Sequence, residues 1–265
     1  MTAQMHARRS GGSAPSGPDP VELRGWGRNT VANSTVLQPR TVAEIEELVQ
    51  RCPPPFLGRG LGRAYGDAAA VDGGTVLDLT RCQRTVAFRP GGGLIQAEAG
   101  LALDTLMQRV LPLGWIPPVL PGTGRVTLGG ALAADVHGKN EGTAGTFAQH
   151  VAAFELVTSD GRLHEISRER DEAAFLATAG GMGLTGIIAS VTVQLQHAET
   201  AWVRETRHRV GNLSAVFAAV EDSRAEHVAA WIDGFATGSR FGRGEITAVD
   251  GASVSDLPAG QRARP

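Results

Sequence analysis

Two glycine-rich segments hold the residues of this chain that are best suited to chemistry. The first segment, residues 58–67, reads GRGLGRAYGD and has glycine at four of its ten positions. Glycine lets backbone amides lie close to a ligand, so this loop predicts an anion site, with Arg59 and Arg63 adding positive charge beside it. That combination suits a diphosphate. The residues alone leave open the alternative of a glycine-rich turn with two solvated arginines.

The second segment, residues 121–140, reads PGTGRVTLGGALAADVHGKN and combines a helix start with a polar loop. Thr127 is predicted to cap a short helix over about 127–135, and amides at such a helix start bind phosphate or polar ring edges. The first turn of that helix comprises Leu128, Gly129 and Gly130. The loop that follows contains His137, Gly138, Lys139 and Asn140, so several hydrogen-bonding groups are expected close together.

Single side chains suggest further roles, for which the residues alone leave alternatives open. Lys139 is the single lysine among 25 basic residues, which favours a position that needs a compact ammonium, although a surface ammonium would also fit. His137 is expected to contact a ligand or, alternatively, to hydrogen-bond the backbone at a helix end. Tyr65 is expected to pack on a ligand rather than act as an acid, because tyrosine is a weak acid. Trp26 and Trp115 are expected in the core.

Composition and charge exclude several classes of protein. Hydrophobic residues make up 42% and charged residues 20% of the 265 residues, which is ordinary for a soluble globular protein. The net charge of −2 argues against a nucleic-acid-binding surface, and no apolar run approaches the ~18 residues of a membrane span. Cys52 and Cys82 lack metal-ligand spacing, so no metal site is expected. Five further histidines are expected to be solvated or hydrogen-bonded in place: His150, His164, His197, His208 and His227.

Hydrophobic periodicity and turn residues indicate an α+β chain. Thr41 and Glu44 form a capping box for a helix over 41–51. Strands are predicted over 56–60, 75–80, 84–88, 94–99, 151–158, 162–166 and 186–195, and further helices over 102–111 and 171–178. A GxGxxG pattern at 181–186 follows a helix and precedes a strand, the reverse of a Rossmann dinucleotide site, which is therefore rejected. Strands and helices interleave without regular βαβ alternation, which gives the α+β class.

A second domain is predicted to begin near residue 198. The pattern restarts there with strands over 201–210, 227–235 and 241–249 and a helix over 213–221, whereas the last residues are polar and lack a closing element. The predicted organisation is a disordered tail over 1–20, a first domain over 21–197 and the start of an incomplete α+β domain over 198–265. Because the tail lacks the apolar stretch of a secretory signal, a cytoplasmic protein is expected.

The chain resembles the FAD-binding oxidoreductases of the vanillyl-alcohol-oxidase type, which have a PCMH-type FAD-binding domain. The likeness rests on GWGR at 25–28, GRGLGRAYGD at 58–67, VLPGTGRVTLGGALAADVHGKN at 119–140 and GGMGLTGII at 180–188. Within that family it resembles the decaprenylphosphoryl-β-D-ribose oxidases. The combination of the GLGRxYGD and DxHGKN loops is far more specific than either glycine pattern alone.

The resemblance implies two α+β subdomains that sandwich an extended FAD, followed by a substrate domain. The residues that it implies for cofactor contact are Gly58, Arg59, Gly60, Leu61, Gly62, Arg63, Ala64, Tyr65, Gly66, Asp67, Gly122, Thr127, Leu128, Gly129, Gly130, Ala134, Asp135, Val136, His137 and Ile188. It implies that His137 and Lys139 lie near the flavin ring and the substrate as catalytic residues. Many relatives attach FAD through a histidine in the first loop, and residues 58–67 contain none, so FAD is expected to be non-covalent.

The activity that the resemblance implies is oxidation of the 2′-hydroxyl of decaprenylphosphoryl-β-D-ribose by hydride transfer to flavin, in cell-wall arabinan precursor synthesis. A separate NAD(P)-dependent reductase would then reduce the ketone, and the lipid substrate would bring the protein to a membrane surface. Family members continue beyond the end of this chain with further residues near the flavin. Two alternatives stay open: an FAD oxidase of alditols or aldonolactones, and a catalytically inactive FAD-binding fragment.

Overall fold

A computed structural model describes residues 18–261 of the chain. The predicted α+β class is confirmed. The strands in these residues are β1 Val21–Leu23, β2 Ala32–Leu37, β3 Phe56–Arg59, β4 Thr75–Asp78, β5 Thr85–Arg89, β6 Leu94–Glu98, β7 Trp115–Ile116, β8 Val151–Val157, β9 Leu163–Ile166, β10 Ile187–Gln194, β11 Gln196–His197, β12 Val203–Val210, β13 His227–Ile232 and β14 Gly244–Gly251. The α-helices are α1 Val42–Arg51, α2 Leu103–Val110, α3 Leu128–Ala133, α4 Glu141–Ala144, α5 Glu172–Thr178 and α6 Leu213–Asp222.

The first sheet has the strand order β1-β2-β4-β3 and carries the first glycine-rich segment. Strands β2 and β3 both run parallel to β4, so β3 delivers the glycine loop at the carboxyl edge of the sheet. Helix α1 begins where the hydroxyl of Thr41 accepts a hydrogen bond from the Glu44 amide at 3.2 Å. Ile45 and Val49, four residues apart on one face, are buried beneath it, which is why this segment is a helix that packs on the core.

The second sheet has the order β5-β6-β10-β8-β9, with every neighbouring pair antiparallel. Helix α3 packs against β6 and β10, and Leu128 and Leu132 of α3 are fully buried. Ile187 of β10 belongs to the same buried cluster as Leu77 of β4, so the two sheets share one hydrophobic core. The second glycine-rich segment therefore lies at the junction of the two sheets.

The third sheet has the order β12-β14-β13 and follows the predicted start of the second domain. Helix α6 packs against it, with Val216 of the helix and Ile246 of β14 buried. The amide of Val228 in β13 donates to the carbonyl of Lys139 at 2.9 Å, which joins this sheet to the second glycine-rich segment. Ala252 and Leu257 near the end of the described residues are buried, so this end packs more closely than its polar composition predicts.

Several features differ from the sequence-based expectations. Strands β1 and β2 and the short antiparallel pair β7–β11 have no counterpart among the predicted elements. Trp26 is 58% exposed, so its expected core position is wrong, whereas Trp115 is half-buried against the core. The expected tail over 1–20 falls mostly outside the described residues. Between residues 18 and 261, no helix is long and apolar enough to cross a membrane.

Candidate functional site

Arg59 closes the first glycine loop from inside. Its guanidinium donates to the carbonyls of Ala69 at 2.6 Å and Arg24 at 2.8 Å, and burial lowers the pKa of the Arg59 side chain from its ordinary value. A Cβ on Gly62, which has φ of +64°, would lie 2.3 Å from an Arg59 nitrogen, so glycine is required there. Arg59 thus stabilises the loop through hydrogen bonds to backbone carbonyls, and the alternative of a solvated arginine is wrong at this position.

Residues 25–27 pack against one side of the glycine loop, and the carbonyl groups of the loop point towards them. The Trp26 amide donates to the Ala64 carbonyl at 2.7 Å. A Cβ on Gly25 would lie 2.2 Å from the Gly66 carbonyl oxygen, which shows how closely the two segments approach. The Arg63 guanidinium lies over the Trp26 ring, 5.0 Å from its centre, as a cation–π contact. The GWGR segment therefore packs directly against the glycine loop and stabilises its conformation.

The amides of the same loop are left available. Within residues 18–261, the amides of residues 61–66 donate no hydrogen bond to another protein group. Tyr65 is 78% exposed, and a Cβ on Gly66 would meet no atom within 4 Å. A run of unpaired amides beside open space is the arrangement that binds phosphate oxygens. The loop therefore has the geometry that a diphosphate needs, with an exposed aromatic ring next to it.

The first loop meets the second segment and the start of β10. A Cβ on Gly60 would lie 2.2 Å from the Thr127 hydroxyl oxygen, and one on Gly58 would lie 3.3 Å from Ile187 Cδ1. Ile188, the next residue of β10, is buried. Three segments that are far apart in sequence thus lie close together at one place.

The start of helix α3 does not offer the free amides that the sequence analysis expected. The amides of Leu128 and Gly129 donate to the carbonyls of Leu101 and Ala99, each at 2.9 Å. The Gly130 amide donates to the Thr127 hydroxyl at 3.2 Å. These contacts join α3 to the chain around β6, so this turn acts by bringing the segments together. Contact between these residues and a cofactor stays a prediction.

The residues after α3 form a tight, partly exposed turn. Asp135 has φ of +40°, and its carboxylate accepts a hydrogen bond from the Ala148 amide at 2.9 Å. The Val136 amide donates to the Ala131 carbonyl at 3.0 Å. Ala134 is exposed, as is Gly122 on the preceding loop. Ala134 and Gly122 are thus among the exposed residues of the second segment, while Asp135 fixes the turn.

His137 and Lys139 both lie exposed on the loop that leaves this turn. His137 Nδ1 is 3.5 Å from a carboxylate oxygen of Glu141, and the His137 side chain is 65% exposed, so the pair is worth little energy in water. The His137 ring therefore contacts a carboxylate. This differs from the alternative in which His137 hydrogen-bonds the backbone at a helix end. Lys139 has no side-chain partner among residues 18–261. Asn140 is buried and anchors the loop by donating to the Pro118 carbonyl at 2.8 Å.

The histidines outside the two glycine-rich segments were expected to be solvated or hydrogen-bonded, and His227 differs from this expectation. A ring nitrogen of His150 lies 2.8 Å from the Ala144 carbonyl, and the His197 ring packs edge-on against Trp115. His227 differs, because its Nδ1 is buried without a hydrogen-bond partner in the described residues. No group of histidine, cysteine or acidic residues between 18 and 261 has the arrangement of a metal site.

Sequence reasoning missed the residues that hold the site together. Pro118, Arg24 and Ala69 carry no motif signal, because each acts through its backbone carbonyl. Glu141 could have been found from its position four residues after His137. Another available signal was GWGR at 25–28, whose two glycines flank an aromatic residue. The structure explains that spacing by the close approach of residues 25–27 to the glycine loop.

Comparisons with known proteins give consistent matches. A family profile described as an FAD binding domain matches residues 34–167. The chain is 37% identical over 245 residues to decaprenylphosphoryl-beta-D-ribose oxidase of Mycolicibacterium smegmatis, covering 89% of this chain and 53% of that protein. It is 42% identical over 167 residues to an uncharacterized protein of Streptomyces coelicolor, covering 62% and 45% of the two chains.

A more distant match is L-gulonolactone oxidase of Scyliorhinus torazame, at 29% identity over 161 residues, covering 59% of this chain and 36% of that protein. The chain thus spans about half the length, or less, of these curated relatives.

Proposed function

Because the chain belongs to the FAD-binding domain family and FAD is the cofactor of that domain, we propose that it acts as an FAD-dependent oxidoreductase on a sugar hydroxyl. The observation that carries the proposal is the run of unpaired amides over residues 61–66 beside open space. These residues fit a flavin dinucleotide, since the amides suit its diphosphate and the exposed Tyr65 suits an aromatic or ribityl surface. We also expect the flavin dinucleotide to contact Gly122 and Ala134, which are both exposed.

The proposed substrate is a prenylphosphoryl ribose, oxidised at its 2′-hydroxyl. The support is the 37% identity to a protein named for decaprenylphosphoryl-beta-D-ribose oxidation, together with the DVHGKN loop. That loop presents an imidazole and an ammonium two residues apart, both exposed. The Lys139 ammonium, which has no side-chain partner among residues 18–261, suits the phosphate of such a substrate.

Oxidation of an alcohol requires removal of a hydride and a proton, and the chain's residues serve the proton. FAD, when bound, supplies the hydride acceptor. His137 accepts the hydroxyl proton on Nε2, and the Glu141 carboxylate lies 3.5 Å from its Nδ1. Lys139 holds the phosphate so that the hydroxyl stays next to His137. Burial of Asn140 and its bond to Pro118 keep His137 and Lys139 in fixed relation.

The test measures how fast the FAD-loaded chain reduces an electron-accepting dye when it is given a short-chain prenylphosphoryl ribose. The control is the same compound without its 2′-hydroxyl. The proposal expects dye reduction only with the 2′-hydroxyl present. A His137→Gln variant should retain flavin and lose most of the rate, because general-base catalysis contributes about 10²–10⁴-fold. Equal rates for His137→Gln and the parent chain would refute the role of His137. Absence of dye reduction by an FAD-loaded chain would support the inactive-fragment alternative.

A second candidate is an oxidase of alditols or aldonolactones. The observation that favours it is the 29% identity to L-gulonolactone oxidase. Oxygen consumption with L-gulonolactone or simple alditols, and none with the prenylphosphoryl ribose, would decide for this candidate. The reductase partner, the cytoplasmic location and the division at residues 197 and 198 stay predictions that co-purification, fractionation and limited proteolysis would test.

A further inference from the structure

Large apolar side chains are exposed at the end of the hairpin formed by β13 and β14, over residues 231–243. Phe235 is 99% exposed and Trp231 is 78% exposed, and Ile232 and Phe241 are each more than half exposed. Single exposed apolar residues are ordinary on a protein surface. Four of them at one hairpin end indicate a surface that binds another molecule or a membrane.

Hydrogen bonds hold this hairpin end in one conformation. The Asp233 carboxylate accepts hydrogen bonds from the Phe235 amide at 3.0 Å and from the Arg243 guanidinium at 2.9 Å. The Leu213 amide donates to the Phe241 carbonyl at 2.9 Å, which joins the loop to the start of α6. The exposure of the Phe235 ring is therefore a property of an internally bonded loop.

The charges at the hairpin end are positive where they are not already paired. Its loop has one acidic residue, Asp233, whose carboxylate is bound by Arg243. Arg240 in the loop and Arg209 at the adjacent end of β12 are exposed, and neither has an ion-pair partner among residues 18–261. Glu245, opposite Arg209 in the sheet, lies 3.8 Å from another arginine of β12. The hairpin end thus combines exposed aromatic rings with two unpaired guanidinium groups.

The hairpin end lies at the opposite end of β13 from the second glycine-rich segment. Strand β13 begins beside Lys139, to whose carbonyl the Val228 amide donates. From Val228 to Ile232 the strand rises about 13 Å, at about 3.3 Å per residue, before the loop begins. A partner of the hairpin end can therefore bind without covering the residues that are proposed to hold FAD.

The size of this surface favours a membrane over another protein as its partner. An aromatic side chain buries about 150–250 Å² when it is fully covered, so the exposed parts of Trp231, Phe235 and Phe241 amount to about 500 Å². Each partner of a stable protein complex contributes about 800 Å². A membrane surface requires no such matched area, tryptophan is favoured at the membrane–water interface, and arginine is attracted to anionic lipid.

We propose that the hairpin end binds the surface of a bilayer that contains anionic lipid. Trp231, Phe235 and Phe241 enter the interfacial region, while Arg209 and Arg240 lie against the lipid phosphates. The apolar rings select a bilayer over a free anion, and the two cations select anionic over zwitterionic lipid. This goes beyond the proposed function, because neither FAD nor a sugar substrate takes part in the contact.

The test is co-sedimentation of the purified chain with two kinds of vesicle, pure phosphatidylcholine and phosphatidylcholine with about 30% phosphatidylglycerol as the anionic lipid. Phe235→Ser removes the most exposed ring, and Arg240→Gln removes one unpaired cation. The controls are Val86→Ser and Arg89→Gln, at exposed positions of β5 in the second sheet. Because all four positions are exposed, each variant should melt like the parent chain, which circular dichroism checks.

Quenching of tryptophan fluorescence by brominated lipid shows which ring enters the bilayer. The chain has four tryptophans, so single replacements separate their contributions. Trp231→Phe should remove most of the quenching. Trp202→Phe should remove little, because Trp202 precedes β12 at the end of the third sheet that is remote from the hairpin loop.

We expect the parent chain to bind the anionic vesicles about tenfold more tightly than phosphatidylcholine alone, and Phe235→Ser to weaken this binding about tenfold. Arg240→Gln should weaken it about fivefold on anionic vesicles, and the β5 controls should leave it unchanged. Equal sedimentation of the parent chain with both vesicles overturns the proposal, and so does unchanged binding in a folded Phe235→Ser variant. A parent chain that ignores vesicles and forms a dimer, which Phe235→Ser dissociates on size-exclusion chromatography, would overturn it in favour of an interface between copies. These readouts need no turnover, so the proposed function stands or falls separately.

Discussion

Replacing Gly60 with alanine would place a Cβ atom 2.2 Å from the Thr127 hydroxyl oxygen and 2.9 Å from its methyl group. Thr127 is 2% exposed and caps α3, so it cannot move without cost. Overpacking of this kind costs about 1–3 kcal/mol, and loss of a threonine cap about 0.5–2 kcal/mol. We therefore expect Gly60→Ala to lower the free energy of unfolding by about 1.5–5 kcal/mol, which corresponds to about 3–20 °C in melting temperature.

Gly66→Ala provides the matched control within the same loop. A Cβ at Gly66 meets no atom within 4 Å, so this variant should melt like the parent chain when FAD is absent. If the open space beside Gly66 holds the diphosphate, the same variant should bind FAD at least tenfold more weakly. The assay is thermal unfolding by circular dichroism without FAD, followed by titration with FAD monitored by flavin fluorescence.

The double variant Gly60→Ala, Thr127→Ala tests the cause of the loss. With the threonine hydroxyl and methyl group removed, the added cost of Gly60→Ala should fall below about 1 kcal/mol, since contacting residues couple. A Gly60→Ala variant that melts with the parent chain would refute the reasoning that these two loops are packed against each other. An FAD affinity unchanged in Gly66→Ala would refute the placement of the diphosphate.

Two further predictions concern side chains away from the cofactor loops. Burial and the Glu98 carboxylate raise the pKa of the Cys82 thiol from 9.0 to about 11, so a thiol reagent at pH 8 should label Cys52 and spare Cys82 until urea is added. Because the folded state keeps that proton while the unfolded chain releases it near pH 9, the free energy of unfolding should fall between pH 9 and 11, less so in Cys82→Ala. Arg84→Met should lower the melting temperature, because it leaves the Glu98 carboxylate, which is 1% exposed, without its cation. The control variant Arg81→Met should have little effect. Equal melting temperatures of the two variants would contradict this prediction.

Local elements could be predicted from sequence where their signals are local. The hydroxyl of Thr41 caps α1 as expected, and β10 is rich in apolar residues that are buried in the core. Strand β2 was missed because its residues ANSTVL mix polar and apolar types, and its strand pairing depends on β4, some forty positions later. The two-residue strands β7 and β11 are too short for any periodicity to reveal.

The site was predictable in its segments and unpredictable in how its polar groups pair. Gly60 lies against Thr127, and both residues belong to glycine-rich segments that the sequence singled out. The hydrogen bonds from α3 to the carbonyls of Ala99 and Leu101 join residues roughly thirty positions apart, and no local pattern announces them. The lack of a partner for His227 Nδ1 in the described part of the chain likewise depends on how β13 packs beside Lys139. Tertiary pairing, and not residue type, decides which amides and rings remain available.

The absorption spectrum of the purified chain, taken before and after acid precipitation, tests most directly the claim that residues 58–67 hold FAD without a covalent bond. We expect flavin bands in the native protein and their transfer to the supernatant after precipitation, because the loop contains no histidine. Flavin retained in the pellet would contradict non-covalent attachment. A colourless protein that gains no bands on addition of FAD would contradict the assignment of this loop to the cofactor.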